Sequence, residues 1–126
     1  MTPRVLVADD DAAVLRLIQR CLSELGTLQV ATASSGWEAG LRTAAWRPDV
    51  LLLDYRLGDT TGEEVAVGVR RLDPAYKPAV LVMSAFLQPE DIERVLQRGA
   101  DAFLRKPFAL DELRQTVLRH AGLPVA

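Results

Sequence analysis

Five short apolar runs, each followed by an amphipathic stretch, constrain this chain more than any other feature, because that alternation is the pattern of parallel strands joined by helical crossovers. The runs are Val5–Ala8, Leu28–Ala33, Val50–Leu53, Ala79–Met83 and Ala102–Leu104. The first, third and fourth are nearly uninterrupted hydrophobic segments, as strands covered on both faces require, and are expected at the centre of a sheet. The second carries Gln29 and Thr32, and the fifth is short and ends at Arg105, so these two suit the edges.

Between the runs, apolar residues recur at helical spacing: Val14, Ile18, Cys21, Leu22 and Leu25; then Trp37, Leu41 and Ala44; then Val65, Val69 and Leu72; then Ile92, Val95, Leu96 and Gly99; then Leu110, Leu113, Val117 and Ala121. Each set predicts one helix with one buried stripe. Ser35 with Glu38 and Thr61 with Glu64 read as capping boxes, and Pro89 suits a first helical turn. Gly26, Pro48, Pro74, Gly99 and Gly122 punctuate the far ends. Residues 1–122 therefore read as one five-fold β/α domain, and residues 123–126 as a short tail after a helix stop.

With 126 residues, 49% of them hydrophobic and 25% charged, the chain supports a single core. No apolar run approaches the roughly 18 to 20 residues of a spanning helix, and no basic leader precedes Val5, so a soluble cytoplasmic protein with no membrane partner is expected. The lone Cys21 and lone His120 argue against an internal disulfide and a structural zinc site. Cys21 reads as a small core residue, and His120 as a last-turn residue favourably placed at a helix C-terminus. Trp37 and Trp46 read as packing residues. The 15 basic residues are scattered among 17 acidic ones, so no basic stripe suggests direct nucleic-acid binding.

Open parallel sheets bind ligands beyond the carboxyl ends of their strands, where strand order reverses. Just past the runs stand Asp9 and Asp10, Asp54, Ser84 and Lys106. If the first strand lies between the second and the third, the three carboxylates meet at that reversal. Clustered carboxylates resist ionising together unless a cation neutralises them, and an all-oxygen set with few protein donors suits Mg²⁺, with Mn²⁺ as the alternative. Beside such an ion one carboxylate can act as a nucleophile towards phosphorus. Asp54 is the candidate, standing alone at its strand end before a loop with Gly58 and Gly62. Lys106 would pair with the phosphoryl group, and the Ser84 hydroxyl would donate to its oxygens. Asp11 reads as a helix N-cap.

Taken together, Val-Ala-Asp9-Asp10, Pro-Asp-Val-Leu-Leu-Leu-Asp54, Gly62, Met-Ser84-Ala85 and Lys106-Pro107-Phe108 make the sequence resemble the receiver domains of two-component response regulators, including the stand-alone chemotaxis type, from Arg4 to about Ala121. The resemblance implies a flavodoxin-like, doubly wound α/β fold with five parallel strands ordered 2-1-3-4-5 and five helices. It implies phosphorylation of Asp54 by a sensor histidine kinase or a histidine phosphotransfer protein. It assigns Mg²⁺ to Asp10, Asp54 and the main-chain carbonyl of Arg56, with Asp9 assisting mainly through water. The Ala85 amide would join Ser84 on the phosphate, Lys106-Pro107 would be cis, and Phe103 would move with Ser84 as a switch. The surface of helix four, strand five and helix five would then bind an output domain, a separate protein or a second copy of the chain.

Three positions depart from the commonest pattern of that family. Gly58 stands where many relatives carry proline, which implies a looser loop. Phe103 replaces a frequent tyrosine and leaves switching to packing alone. Arg56 and Phe86, each two residues beyond Asp54 and Ser84, are bulky at positions that flank the hydrolytic water, implying slow self-dephosphorylation. Arg56 also stands where aspartyl phosphatases of the haloacid dehalogenase type place a second aspartate, so turnover of external phosphate esters is not expected. A degenerate receiver acting only as an interaction module would have lost an acid or the lysine, and none is lost. The sequence fits a single-domain regulator and the receiver of a longer protein equally well.

Overall fold

The computed structural model describes residues 2–125. Along the chain run β1 (Arg4–Ala8), α1 (Ala12–Ser23), β2 (Gln29–Ala33), α2 (Gly36–Trp46), β3 (Val50–Asp54), α3 (Gly62–Arg70), β4 (Ala79–Ser84), α4 (Pro89–Gln97), β5 (Ala102–Arg105) and α5 (Leu110–His120). All strand pairings are parallel, and the five strands lie in the order β2-β1-β3-β4-β5. The apolar central strands and the more polar edges therefore stand where their composition predicts.

Because side chains alternate across a strand, each central strand feeds two cores. Val5, Val7, Val50, Leu52, Leu81 and Met83 pack with Ile18, Cys21 and Leu22 of α1 and with Leu113 and Val117 of α5. Leu6, Leu51, Leu53, Val80 and Val82 pack on the other face with Ala39 of α2, Val65, Ala66 and Val69 of α3, and Val95 of α4. Two helices thus cover one face and three the other. Cys21 is a buried core residue, and Asp11 caps α1 by accepting from Ala13 N at 2.9 Å and Val14 N at 3.3 Å.

The α2 stripe is a correction. Trp37 and Leu41 are 71% and 51% exposed, and Ala44 is exposed as well; the buried side of α2 is Gly36, Ala39 and Thr43. The helix lies too close to its neighbours for large side chains, and a Cβ at Gly36 would collide with the Thr60 side chain. Thr43 satisfies its buried hydroxyl on Ala39 O at 2.7 Å. Trp46, by contrast, is half-buried against the core. Leu72 and Leu96 also face solvent, so Val95 is the one buried side chain of α4.

Both expected capping boxes are half-formed. Ser35 and Thr61 accept from Glu38 N and Glu64 N, each at 3.1 Å. The Glu38 carboxylate, however, accepts from Ser34 N and that of Glu64 from Arg98. Leu28 precedes its strand, while Asp54, Ser84 and Arg105 close theirs. The Lys106–Pro107 bond is cis. Met1 and Ala126, assigned from sequence to the domain and to the tail, lie outside the described residues.

Candidate functional site

Beyond the carboxyl edge of the sheet, β1 releases the chain into Asp9 and Asp10, while the neighbouring β3 ends on Asp54. One oxygen from each of the three carboxylates lies within 4.8 Å of the others. Asp9 is fully buried: one oxygen accepts from Asp11 N at 2.9 Å and the other from Lys106 Nζ at 2.7 Å. Lys106 Nζ stands 3.4 Å from Asp54, whose side chain is mostly buried, whereas Asp10 is exposed. Among the described residues Asp10 has no ion-pair partner.

Burial, and then the negative charge of Asp9, push the Asp54 pKa from 3.8 up to about 6, although Lys106 pulls it down. Burial works against the Lys106 ammonium, but Asp9 and Asp54 together outweigh it and hold that pKa above the ordinary lysine value. Among the described residues the site is thus an acid cluster paired with one cation, Lys106, which lies nearer to Asp9. Further positive charge would relieve the remaining repulsion, and an all-carboxylate oxygen set fits a hard divalent cation such as Mg²⁺ or Mn²⁺.

Two loops frame the cluster. In the first, Leu57 N donates to Thr60 O and Gly62 N to Tyr55 O. Gly58 has φ +83°, a backbone state that L side chains resist, and faces Asp10. Gly62 opens α3 against the Asp54 carbonyl, which a Cβ there would meet at 2.6 Å. Asp59 reaches outward and accepts from Gly36 N and Trp37 N at 2.8 and 2.9 Å, capping α2 from a distance. In the second loop, buried Ser84 accepts from Phe86 N at 3.1 Å, and Ala85 is exposed. The Arg56 guanidinium lies over the Phe86 ring at 5.1 Å, joining the two loops. Phe103 is half-buried in β5 with the Arg105 guanidinium over its ring at 5.6 Å, and Arg105 also donates to Leu87 O at 2.9 Å.

Sequence reasoning brought Asp9, Asp10, Asp54, Ser84 and Lys106 to one end of the sheet, and there they lie. It missed Glu63. This first-turn acid of α3 is buried and accepts from Arg94, Arg98 and the Tyr55 hydroxyl. Burial opposes its charge, yet the two guanidinium groups hold its pKa below the ordinary glutamate value. The Asp59 cap was missed as well, since neither contact leaves a local sequence signal. A shallow depression of about 1020 Å³ with Asp49, Arg70, Tyr76, Lys77 and His120 in its wall opens at the opposite end of the sheet, away from these carboxylates.

Comparison with known proteins agrees with this geometry. The response regulator receiver domain profile matches residues 5–118. The transcriptional regulatory protein PrrA of Mycobacterium tuberculosis is 40% identical over 112 residues, which are 89% of this chain and 47% of PrrA. KdpE of the same species is 39% identical over 122 residues, 94% of this chain and 52% of KdpE. The chain therefore spans about half the length of these curated relatives. Among solved structures, the receiver domain of Francisella response regulator 1452 superposes with a TM-score of 0.87 at 29% identity, covering 95% of this chain and 97% of that one. Vibrio cholerae chemotaxis protein CheY4 gives 0.87 at 28% identity, covering 94% and 98%. The profile match over nearly the whole chain, on a sheet whose carboxyl edge gathers three aspartates and a lysine, makes this chain a member of the response regulator receiver domain family.

Proposed function

We propose that Asp54 accepts a phosphoryl group from a histidine kinase or a histidine phosphotransfer protein, and that the phosphorylated state changes the surface of α4, β5 and α5. The observation that carries this reading is the convergence of Asp9, Asp10, Asp54 and Lys106 on one point at the strand ends. An Asp54 carboxylate oxygen forms the new bond to phosphorus as the P–N bond of the phosphohistidine breaks, and the departing imidazole takes up a proton. Lys106 neutralises the phosphoryl oxygens. The Ser84 hydroxyl, now an acceptor from Phe86 N, turns to donate to them together with the Ala85 amide.

Asp10, Asp54 and the Arg56 carbonyl would hold Mg²⁺ or Mn²⁺, with Asp9 assisting through water. When bound, the ion supplies positive charge that offsets carboxylate repulsion and the charge on the phosphoryl oxygens. Asp9 already has Lys106 as its partner, which supports giving it the lesser share.

Ser84 closes β4 beside β5, and Phe103 pairs in register with Val82 two residues earlier. Ser84 and Phe103 then act as the switch, with residues 1–122 as the phosphoacceptor unit and 123–126 as its tail. The partner is an output domain, a separate protein or a second copy of the chain. Among the described residues no helix is long and apolar enough to cross a membrane, and a cytoplasmic signalling role remains our reading. The chain's chemistry is confined to its own phosphorylation and dephosphorylation.

Incubation with Mg²⁺ and acetyl phosphate tests the assignment. One phosphoryl adduct should appear by intact mass, map to Asp54 and be missing from Asp54→Asn. Labelling that persists in Asp54→Asn would refute it.

A further inference from the structure

Helix α4 combines a light apolar footing with ion pairs to a buried acid. Val95 is its one buried side chain, Ile92 packs half-buried against the same core, and Leu96 faces water. Beside this light apolar footing stand Arg94 in its last turn and Arg98 at its C-cap. Arg94 Nε lies 3.2 Å from Glu63 Oε2, and Arg98 Nη1 donates to the same carboxylate. The Glu63 side chain is only 5% exposed, so its charge is compensated by the arginines of another helix. Glu63 in turn accepts from the Tyr55 hydroxyl at 3.3 Å, and Arg94 Nη2 donates to that hydroxyl at 3.2 Å, closing a triangle.

Tyr55 is the residue after Asp54. Its amide donates to Met83 O, next to Ser84, and its carbonyl accepts from Gly62 N, each at 2.8 Å. The triangle therefore contains the residue that follows Asp54, lies one backbone hydrogen bond from Met83, the neighbour of Ser84, and ends on a helix with a light apolar seat. Elements held by few apolar contacts open at low cost, so the strength of such a tie sets how firmly the helix is held.

We propose that Glu63 is a mooring point for α4, holding it through Arg94 and Arg98 while Asp54 is free, and that phosphorylation of Asp54 slackens the mooring through Tyr55. The second half rests on the phosphoacceptor reading above; the first does not. Removing the Glu63 charge should free α4 without disturbing the sheet, because its partners can turn to solvent. Glu64, whose side chain is 57% exposed and pairs with Arg98 at 3.3 Å, provides the control.

Hydrogen exchange read by mass spectrometry tests both halves on the full chain, with wild type, Glu63→Gln, Arg94→Gln/Arg98→Gln and Glu64→Gln compared with and without Mg²⁺ plus beryllium fluoride. In the free proteins, amides 89–98 should exchange about tenfold faster in Glu63→Gln and in the double arginine variant, the size expected when charge-assisted hydrogen bonds are lost. Glu64→Gln should stay within twofold of wild type. Slow exchange in β1 and β3 shows that each variant is folded, and the arginine variant tests the tie from the other side should Glu63→Gln fail to fold. Beryllium fluoride should speed exchange of α4 in wild type towards the Glu63→Gln level. Unchanged α4 exchange in both free variants would overturn the mooring. Protection of residues 54–62 by beryllium fluoride with α4 unmoved would overturn the coupling. Failure to protect residues 54–62 at all would refute the phosphoacceptor reading and the coupling with it, while the free-protein comparison still decides the mooring.

Discussion

Lys106 Nζ lies 2.7 Å from Asp9 Oδ2, across a separation of 97 residues, and closer to it than to any oxygen of Asp54. The buried acid of the cluster, and not the proposed nucleophile, is the lysine's resting partner. Acceptance of a phosphoryl group would then require Lys106 to share its charge between Asp9 and the incoming oxygens.

Replacing Lys106 by methionine strands a fully buried Asp9 carboxylate beside Asp54. Stability without divalent ions should fall by about 3 kcal/mol, the scale for breaking a buried pair. Urea denaturation with and without Mg²⁺ checks this: Mg²⁺ should recover part of the loss and stabilise the variant more than wild type, because it binds only the folded site.

Asp54 titrates near 6 in the fold against an ordinary 3.8, so the folded state holds that proton more tightly than the unfolded chain. Stability from this group is fully present below about pH 4 and lost as pH rises through about 6. Asp54→Asn should therefore exceed wild type by about 1 to 3 kcal/mol at pH 7.5 and match it near pH 4, in melts without divalent ions. The rate of labelling by acetyl phosphate at low Mg²⁺ should fall as pH drops below about 6, since the protonated acid is no nucleophile.

A methyl group at residue 62 would meet the Asp54 carbonyl at 2.6 Å. Gly62→Ala should cost about 1 to 3 kcal/mol in urea denaturation, the usual penalty for overpacking. Labelling should slow as well, because the carbonyl that yields belongs to the nucleophile's own residue.

The Arg56–Phe86 stack spans the two loops at the mouth of the site. Arg56→Asn/Phe86→Glu removes it, and an exposed stack of this kind is worth about 0.5 to 1 kcal/mol. Loss of acyl phosphate from the purified double variant should be roughly two- to fivefold faster than from wild type, followed by intact mass after removal of the donor. An unchanged rate would show that these side chains do not guard the phosphoryl group.

Which strands are central, which lie at the edges, and the site acids were legible because they follow from chain-local patterns; the full strand order came with the family resemblance. Apolar runs such as Val50–Leu53 mark central strands, and parallel connectivity sends every strand end to the same edge, carrying Asp9, Asp10, Asp54, Ser84 and Lys106 with it. Side-chain partnerships between distant segments were not legible. Glu63 reads as an ordinary first-turn acid until Arg94 and Arg98 are folded over it, and nothing near Asp59 announces that it caps α2. In α2 the helical spacing of Trp37, Leu41 and Ala44 pointed to the wrong face. The smaller residues Gly36, Ala39 and Thr43 are buried instead, and at Gly36 even a Cβ would collide with Thr60.

That outcome leaves Trp37 standing in water on the turn whose amides Asp59 holds, while Trp46 is half-buried with Arg4 over its ring. Asp59 thus ties the loop beside the carboxylates to the backbone beneath a solvated indole, and motion of that loop would be carried to the chain's own fluorophore.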